Sequence, residues 1–186
     1  MHPQLEGLSE EFSRLETSTR KLIEGLSEPQ LRWRPSETRW SILECLDHLC
    51  RCESRYLEEI DRALPQVERL SAVPDKALKH GWFGSLFLWL LEPPNKLGSK
   101  TLPELVPTSD RPLQDTIDEY FSLLNEFQDR LQRADGRDLK KTILTSPFIS
   151  RFRQNLGLAF AIQPVHARRH LAQAKRAREH TNFPDR

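Results

Sequence analysis

Hydrophobic positions recur at alternating three- and four-residue spacing in four stretches of the chain. The first runs Leu5, Leu8, Phe12, Leu15, Thr19, Leu22 and Leu26, one stripe on a helix of about six turns with Glu and Arg on its other faces. Gly25 and Pro29 bracket its end. The second carries Ile42, Cys45, Leu46, Leu49, Cys52, Tyr56, Leu57, Ile60 and Leu64, and Pro65 marks where it stops. Its start is written into the sequence: Ser41 and Glu44 form an S-x-x-E capping box, and Trp40 ahead of the cap is placed to staple onto Cys45. The third opens at Pro112, a residue suited to a first helical turn. It carries Leu113, Ile117, Phe121, Leu124, Gln128 and Leu131 and ends at Asp135-Gly136. After an irregular piece around Pro147, the fourth takes in Leu156, Phe160, Gln163, His166, His170, Gln173 and Ala177. No stretch shows sustained period-two alternation. The prediction is an all-α fold, a four-helix bundle.

Residues 70–110 break this rhythm. Pro74, Pro93, Pro94, Pro103 and Pro107 forbid one long element there, although Gly81 to Leu91 suits one short apolar helix. The stretch is read as an excursion inserted between the second and third main helices of a single domain spanning residues 1–186. Its expected roles are packing or a dimer contact, with a lid or a membrane-surface patch as the alternatives.

Composition narrows the class. The 186 residues hold 28 Lys plus Arg against 27 Asp plus Glu, a formal charge of +1, which gives no global case for nucleic acid or an anionic membrane. The most apolar run, Trp82 to Leu91, is about half the length of a spanning helix, so no transmembrane segment is expected. The start lacks a basic flank leading into an apolar run, so no signal peptide is read there. Cys45, Cys50 and Cys52 lie within eight residues of one another, which suits free thiols in a reducing cytoplasm.

The chemistry sits where the fourth stripe changes character. Beyond Phe160 it presents Gln163, His166, His170 and Gln173 where Leu or Ala would be expected. An i, i+4 pair of histidines shares one helix face, one turn apart, the arrangement by which a helix offers two nitrogens to one ion. The flanks are basic: from Arg151 to Arg178 there are seven Arg or Lys and no acidic residue, so a solvated basic helix with two incidental histidines is the plain alternative. On the second helix His48 lies near the apolar face, where a bundle would let it meet that pair. Three neutral imidazoles would leave a divalent ion with open positions, as in catalytic rather than closed structural sites. Zinc and nickel both accept such ligands. Cys45 and Cys52 are roughly 10 Å apart along the helix, too far to share an ion, and read as apolar filling.

The run R-W-S-I-L-E-C-L-D-H-L, Arg39 to Leu49, followed much later by H-x-x-x-H-x-x-Q, His166 to Gln173, resembles the DinB/YfiT-like superfamily. The resemblance covers all four main helices. It implies a four-helix bundle holding one divalent metal, often nickel or zinc, on three histidines. Matched position by position these are His48, His166 and His170, with Gln173 in the position of a recurrent glutamine that acts behind the ligands. It further implies a metal-dependent thiol transferase or a related thiol-dependent activity, with a low-molecular-weight thiol and a small electrophile as partners, and a homodimer. Two features depart from the pattern. Pro164 sits two residues before His166 and would kink the helix or begin a new segment, and the excursion is longer than a simple bundle connection.

Other residues carry less. Glu44 lies one turn before His48 and is a second candidate behind the ligands, although its capping role already explains it. Asp47 is expected to face solvent. His2, His80 and His180 lack partners at ligand spacing, and Trp33 and Trp40 read as packing rather than substrate clamps. Two functions are therefore carried forward. One is a divalent-metal protein performing thiol transfer, or hydrolysis by metal-bound hydroxide. The other is a metal-free stress-response or interaction bundle in which the histidines are hydrogen-bonded core residues. A nucleic-acid surface has only the seven basic charges behind it and is not expected.

Overall fold

The computed structural model describes residues 3–68, 70, 81–94, 101–108, 110–149 and 151–185. Helix α1 spans Pro3–Ile23, a short α2 spans Glu28–Arg32, α3 spans Ile42–Ala63, α4 spans Gly81–Leu91, α5 spans Leu113–Ala134 and α6 spans Leu156–Arg178. Helix α1 stops two residues before Gly25, which takes the left-handed conformation at φ 71°. Pro29 does not merely close this helix; it lies in the first turn of α2, behind an N-cap at Ser27. The Ser41–Glu44 capping box forms as the sequence indicates: Glu44 N–H donates to Ser41 Oγ at 3.1 Å and Ser41 N–H to Glu44 Oε2 at 2.9 Å.

Four long helices make the bundle. Helix α3 packs against α5 and α6, and α1 against the same two, so the order around the bundle is α1, α5, α3, α6. Chain-adjacent α1 and α3 therefore sit on a diagonal, and α2 with the segment leading to Ser41 crosses one end. The core contains Phe12, Leu46, Leu49, Ile60, Leu124, Phe127, Leu131 and Phe160, all fully buried, and Phe12 stacks on Phe127 at 5.2 Å. In α5 the buried stripe is Thr116, Tyr120, Leu123, Leu124, Phe127, Leu131 and Ala134, rotated by about one position from the stripe predicted through Ile117, Phe121 and Gln128. Rotation inward buries the large rings of Tyr120 and Phe127. Phe121 instead lies partly exposed beneath the Arg20 guanidinium, 4.1 Å from its ring centre.

A two-stranded antiparallel sheet, absent from the sequence prediction, links α5 to α6. Strand β1, Ile143–Thr145, pairs with β2, Arg153–Asn155, in the register Leu144 to Gln154. Three-residue strands are too short to leave a period-two signature. Asn155 then caps α6, its Oδ1 accepting Leu158 N–H at 2.8 Å.

Helix α4 lies against α6. Phe87, Leu88 and Leu91 pack on the core, whereas Trp82 and Trp89 remain about 70% exposed. Arg168 of α6 fixes its end, donating to both oxygens of Glu92 at 2.9 and 2.7 Å and also to Glu11 of α1. Among the described residues, no helix is long and apolar enough to cross a membrane.

Candidate metal centre

Because α3 and α6 are neighbours, the second turn of one and the middle of the other face each other, and three histidine rings meet there. Ring centres are 4.4 Å apart for His48 and His170, 4.7 Å for His166 and His170 and 5.4 Å for His48 and His166. One nitrogen from each lies within 4.8 Å of the others. His2 and His80 lie outside the described residues, and His180 packs instead beside Trp33 at 5.4 Å.

Each ring is prepared in its own way. His48 Nδ1 is 2.8 Å from the Leu105 carbonyl. A carbonyl only accepts, so Nδ1 carries the proton and Nε2 keeps its lone pair. Burial holds the His48 pKa below its ordinary range, with the Leu105 bond opposing that shift. His166 is pushed down to about 3 by burial, with the adjacent His48 and Arg169 charges acting in the same direction. His170 is held well below 6.5, again first by burial, then by His166, His48 and Arg169; Gln173 opposes weakly. All three are neutral near pH 7, the state a metal requires. His170 Nδ1 is also buried with no hydrogen-bond partner, an orphan that a metal ion would satisfy.

These observations fit a divalent ion. Two nitrogens bound to one zinc-sized ion are at most about 4.2 Å apart, so rings whose nitrogens lie within 4.8 Å of one another need only a small inward movement to share one ion. Trp40 limits how they turn, lying tilted over His48 at 4.8 Å and nearly parallel to His170 at 5.7 Å. It packs on the histidines and also lines the cavity above them. Cys52 places Sγ 3.6 Å from His48 Nε2; burial pushes this thiol up to about 12, so it stays protonated. Cys45 and Cys50 are likewise buried free thiols.

The remaining candidates divide. Gln173 lines the same cavity as the histidines. Glu44 is occupied: besides Ser41 it accepts from the Arg34 guanidinium at both oxygens, at 2.8 Å from Nε. Burial alone would raise its pKa, but the bonds to Arg34 and Ser41 more than offset that and lower it. Asp47 overturns the expectation of an exposed side chain. It is fully buried because the returning excursion covers it, and it accepts from Thr108 N–H at 2.9 Å, Arg51 Nε at 2.9 Å and Arg111 at 2.7 Å. Pro164 does not divide α6, which runs unbroken from Leu156 to Arg178. In that turn the Gln163 side-chain amide donates to the Ala159 carbonyl at 3.0 Å, next to the Phe160 carbonyl that the proline leaves without its usual helical donor.

A cavity of about 600 Å³ opens over the three rings. Ile162 and Arg169 of α6 line it, with Phe87 and Leu91 of α4, Leu102 and Leu105 of the excursion, and Phe148 and Ile149 between the strands. A family model for the DinB superfamily matches residues 11–174, a span containing His48, His166, His170 and the excursion. The chain belongs to the DinB superfamily. No curated protein matches it, and no solved structure does. In this DinB-like chain the excursion belongs to the site: Leu105 fixes the His48 tautomer through its backbone, and Asp47 ties Thr108 and Arg111 back to the turn that carries His48. Neither contact has a sequence signature: a backbone carbonyl or amide can come from any residue, and Arg111 lies 64 residues from Asp47.

Proposed function

We propose that this DinB-like chain, read as one domain with an inserted excursion, is a metal-dependent enzyme. Its reaction would be thiol transfer to a small electrophile, with hydrolysis as the second reaction open to the same site. The observation that carries the reading is the convergence of three neutral imidazoles at the floor of a cavity, one held in a defined tautomer by Leu105. His48, His166 and His170 would hold one zinc or nickel ion. When bound, such an ion lowers the pKa of a coordinated thiol or water so that a nucleophile exists near pH 7.

The chain's own residues do the rest. The Leu105 carbonyl and Trp40 orient His48 and His170, a form of support commonly needed for metal-bound imidazoles. Gln173, whose side chain hydrogen-bonds to His170, would help orient that ring from within the cavity lining. No carboxylate among the described lining residues competes as a general base, which supports a reaction whose nucleophile is activated by the metal itself.

The test is elemental analysis of protein purified without a metal-affinity tag. One divalent ion per chain is expected. His48→Ala, His166→Ala and His170→Ala should each lose it while circular dichroism shows unchanged helix content. Full occupancy in all three variants would remove the proposed site. A melting temperature unmoved by chelation and metal readdition would favour the non-catalytic bundle, since selective binding to the native state must raise stability.

A further inference from the structure

The cavity's lining is one-sided in charge. Among its described residues there is no Asp or Glu; the one formally charged side chain is Arg169. Three neutral imidazoles also leave both charges of a bound divalent ion uncompensated by its ligands, and the nearby Asp47 carboxylate is already paired with Arg51 and Arg111. Away from the histidines an apolar patch comes from outside the four-helix frame, with Phe87 on α4, Leu102 on the excursion and Phe148 between the strands, while Thr38, Thr101 and Ser146 add hydroxyls to the lining. Phe87 is braced by Phe152, 5.6 Å away. A volume near 600 Å³ holds a molecule well beyond a two-carbon fragment.

We infer that the site takes a small amphiphilic anion, with an acidic head group directed at the histidine floor and an apolar body against Phe87, Leu102 and Phe148. The inference rests on the metal reading, since the ion supplies most of the positive charge. A cationic head group would face like charge with no carboxylate among the described lining residues to pair with. A short polar anion would lack the apolar body that the walls are shaped to cover. Helix α4 and the excursion thus set which body fits, and the bundle sets which head group.

Calorimetric titration with octanoate, octan-1-ol, octylammonium and acetate tests this on zinc-loaded protein whose metal content is measured in the same sample. Octanoate is expected to bind at least about tenfold more tightly than octylammonium or acetate. Stripping the metal should weaken octanoate by about tenfold while leaving octan-1-ol within about twofold. Phe87→Asp, which places a carboxylate in the wall, should weaken octanoate more than octan-1-ol. Leu102→Asp offers the same test from a second segment, should α4 fail to dock in the first variant. One zinc per chain with octylammonium binding as tightly as octanoate would overturn the inference and leave the metal reading standing. One zinc per chain with no apolar ligand bound would overturn it equally. Zinc-free protein after loading would overturn the metal reading beneath it.

Discussion

Asp47 shows how one side chain can serve a site it never touches. Its carboxylate is buried next to a candidate ligand, and its three donors come from α3, the end of the excursion and the residue before Pro112. Arg51 and Arg111 are each partly solvated, with side chains 32% and 24% exposed, so both can rehydrate if the carboxylate is removed. The Thr108 amide is the donor with fewest alternatives. Breaking a buried pair costs about 3–5 kcal/mol when the orphaned charge stays buried, so Asp47→Ala should cost less, about 2 kcal/mol by urea denaturation. It should also weaken zinc binding about tenfold, because the segment carrying the Leu105 carbonyl loses its anchor. A stability loss with unchanged zinc affinity would show that Asp47 holds the fold only.

At the scale of elements, the ends of helices were the most legible features. The Ser41 box and the Asp135-Gly136 stop are both read from local chemistry, and both appear where the residues place them. Gly136 has φ +71°, and a Cβ built there meets nothing within 4 Å. Gly136→Ala therefore isolates backbone strain from crowding and should lower the unfolding free energy by about 1–2 kcal/mol, read as a fall in melting temperature with unchanged helix content. No effect would mean that the turn relaxes out of the left-handed region. What the sequence could not supply was phase and pairing. The face of α5 turned inward was decided by whether Tyr120 and Phe127 or Phe121 and Gln128 filled the core better, a comparison made only against Phe12 and its neighbours. The hairpin was hidden because its strands are three residues each. The histidines were legible as an i, i+4 pair plus one, whereas Leu105 and Asp47 depend on where the excursion returns.

Across the whole bundle, three helices converge on a polar group that the candidate site does not use. Thr19 of α1, Glu53 of α3 and Tyr120 of α5 are all fully buried; both Glu53 oxygens have no hydrogen-bond partner, whereas the Thr19 and Tyr120 hydroxyls lie close enough to interact with each other. Burial alone holds the Glu53 pKa well above 4.5, so the folded chain keeps Glu53 protonated to higher pH than the unfolded chain does. In the unfolded chain this residue ionises near its ordinary value. Between that value and the raised folded one, the native state binds more protons than the unfolded state, and stability therefore falls as pH rises through the window. Glu53→Gln keeps the shape and removes the proton. Its unfolding free energy, relative to that of the unaltered chain, should rise as pH climbs above the ordinary glutamate range, since the unaltered chain alone loses stability there through this group. Glu53→Met should stabilise at pH 8 by about 2 kcal/mol, because an apolar side chain of similar length replaces an unpaired acid. Parallel pH profiles for the unaltered chain and Glu53→Gln would show that Glu53 keeps an ordinary pKa, and with it a charge that Thr19 or Tyr120 must satisfy.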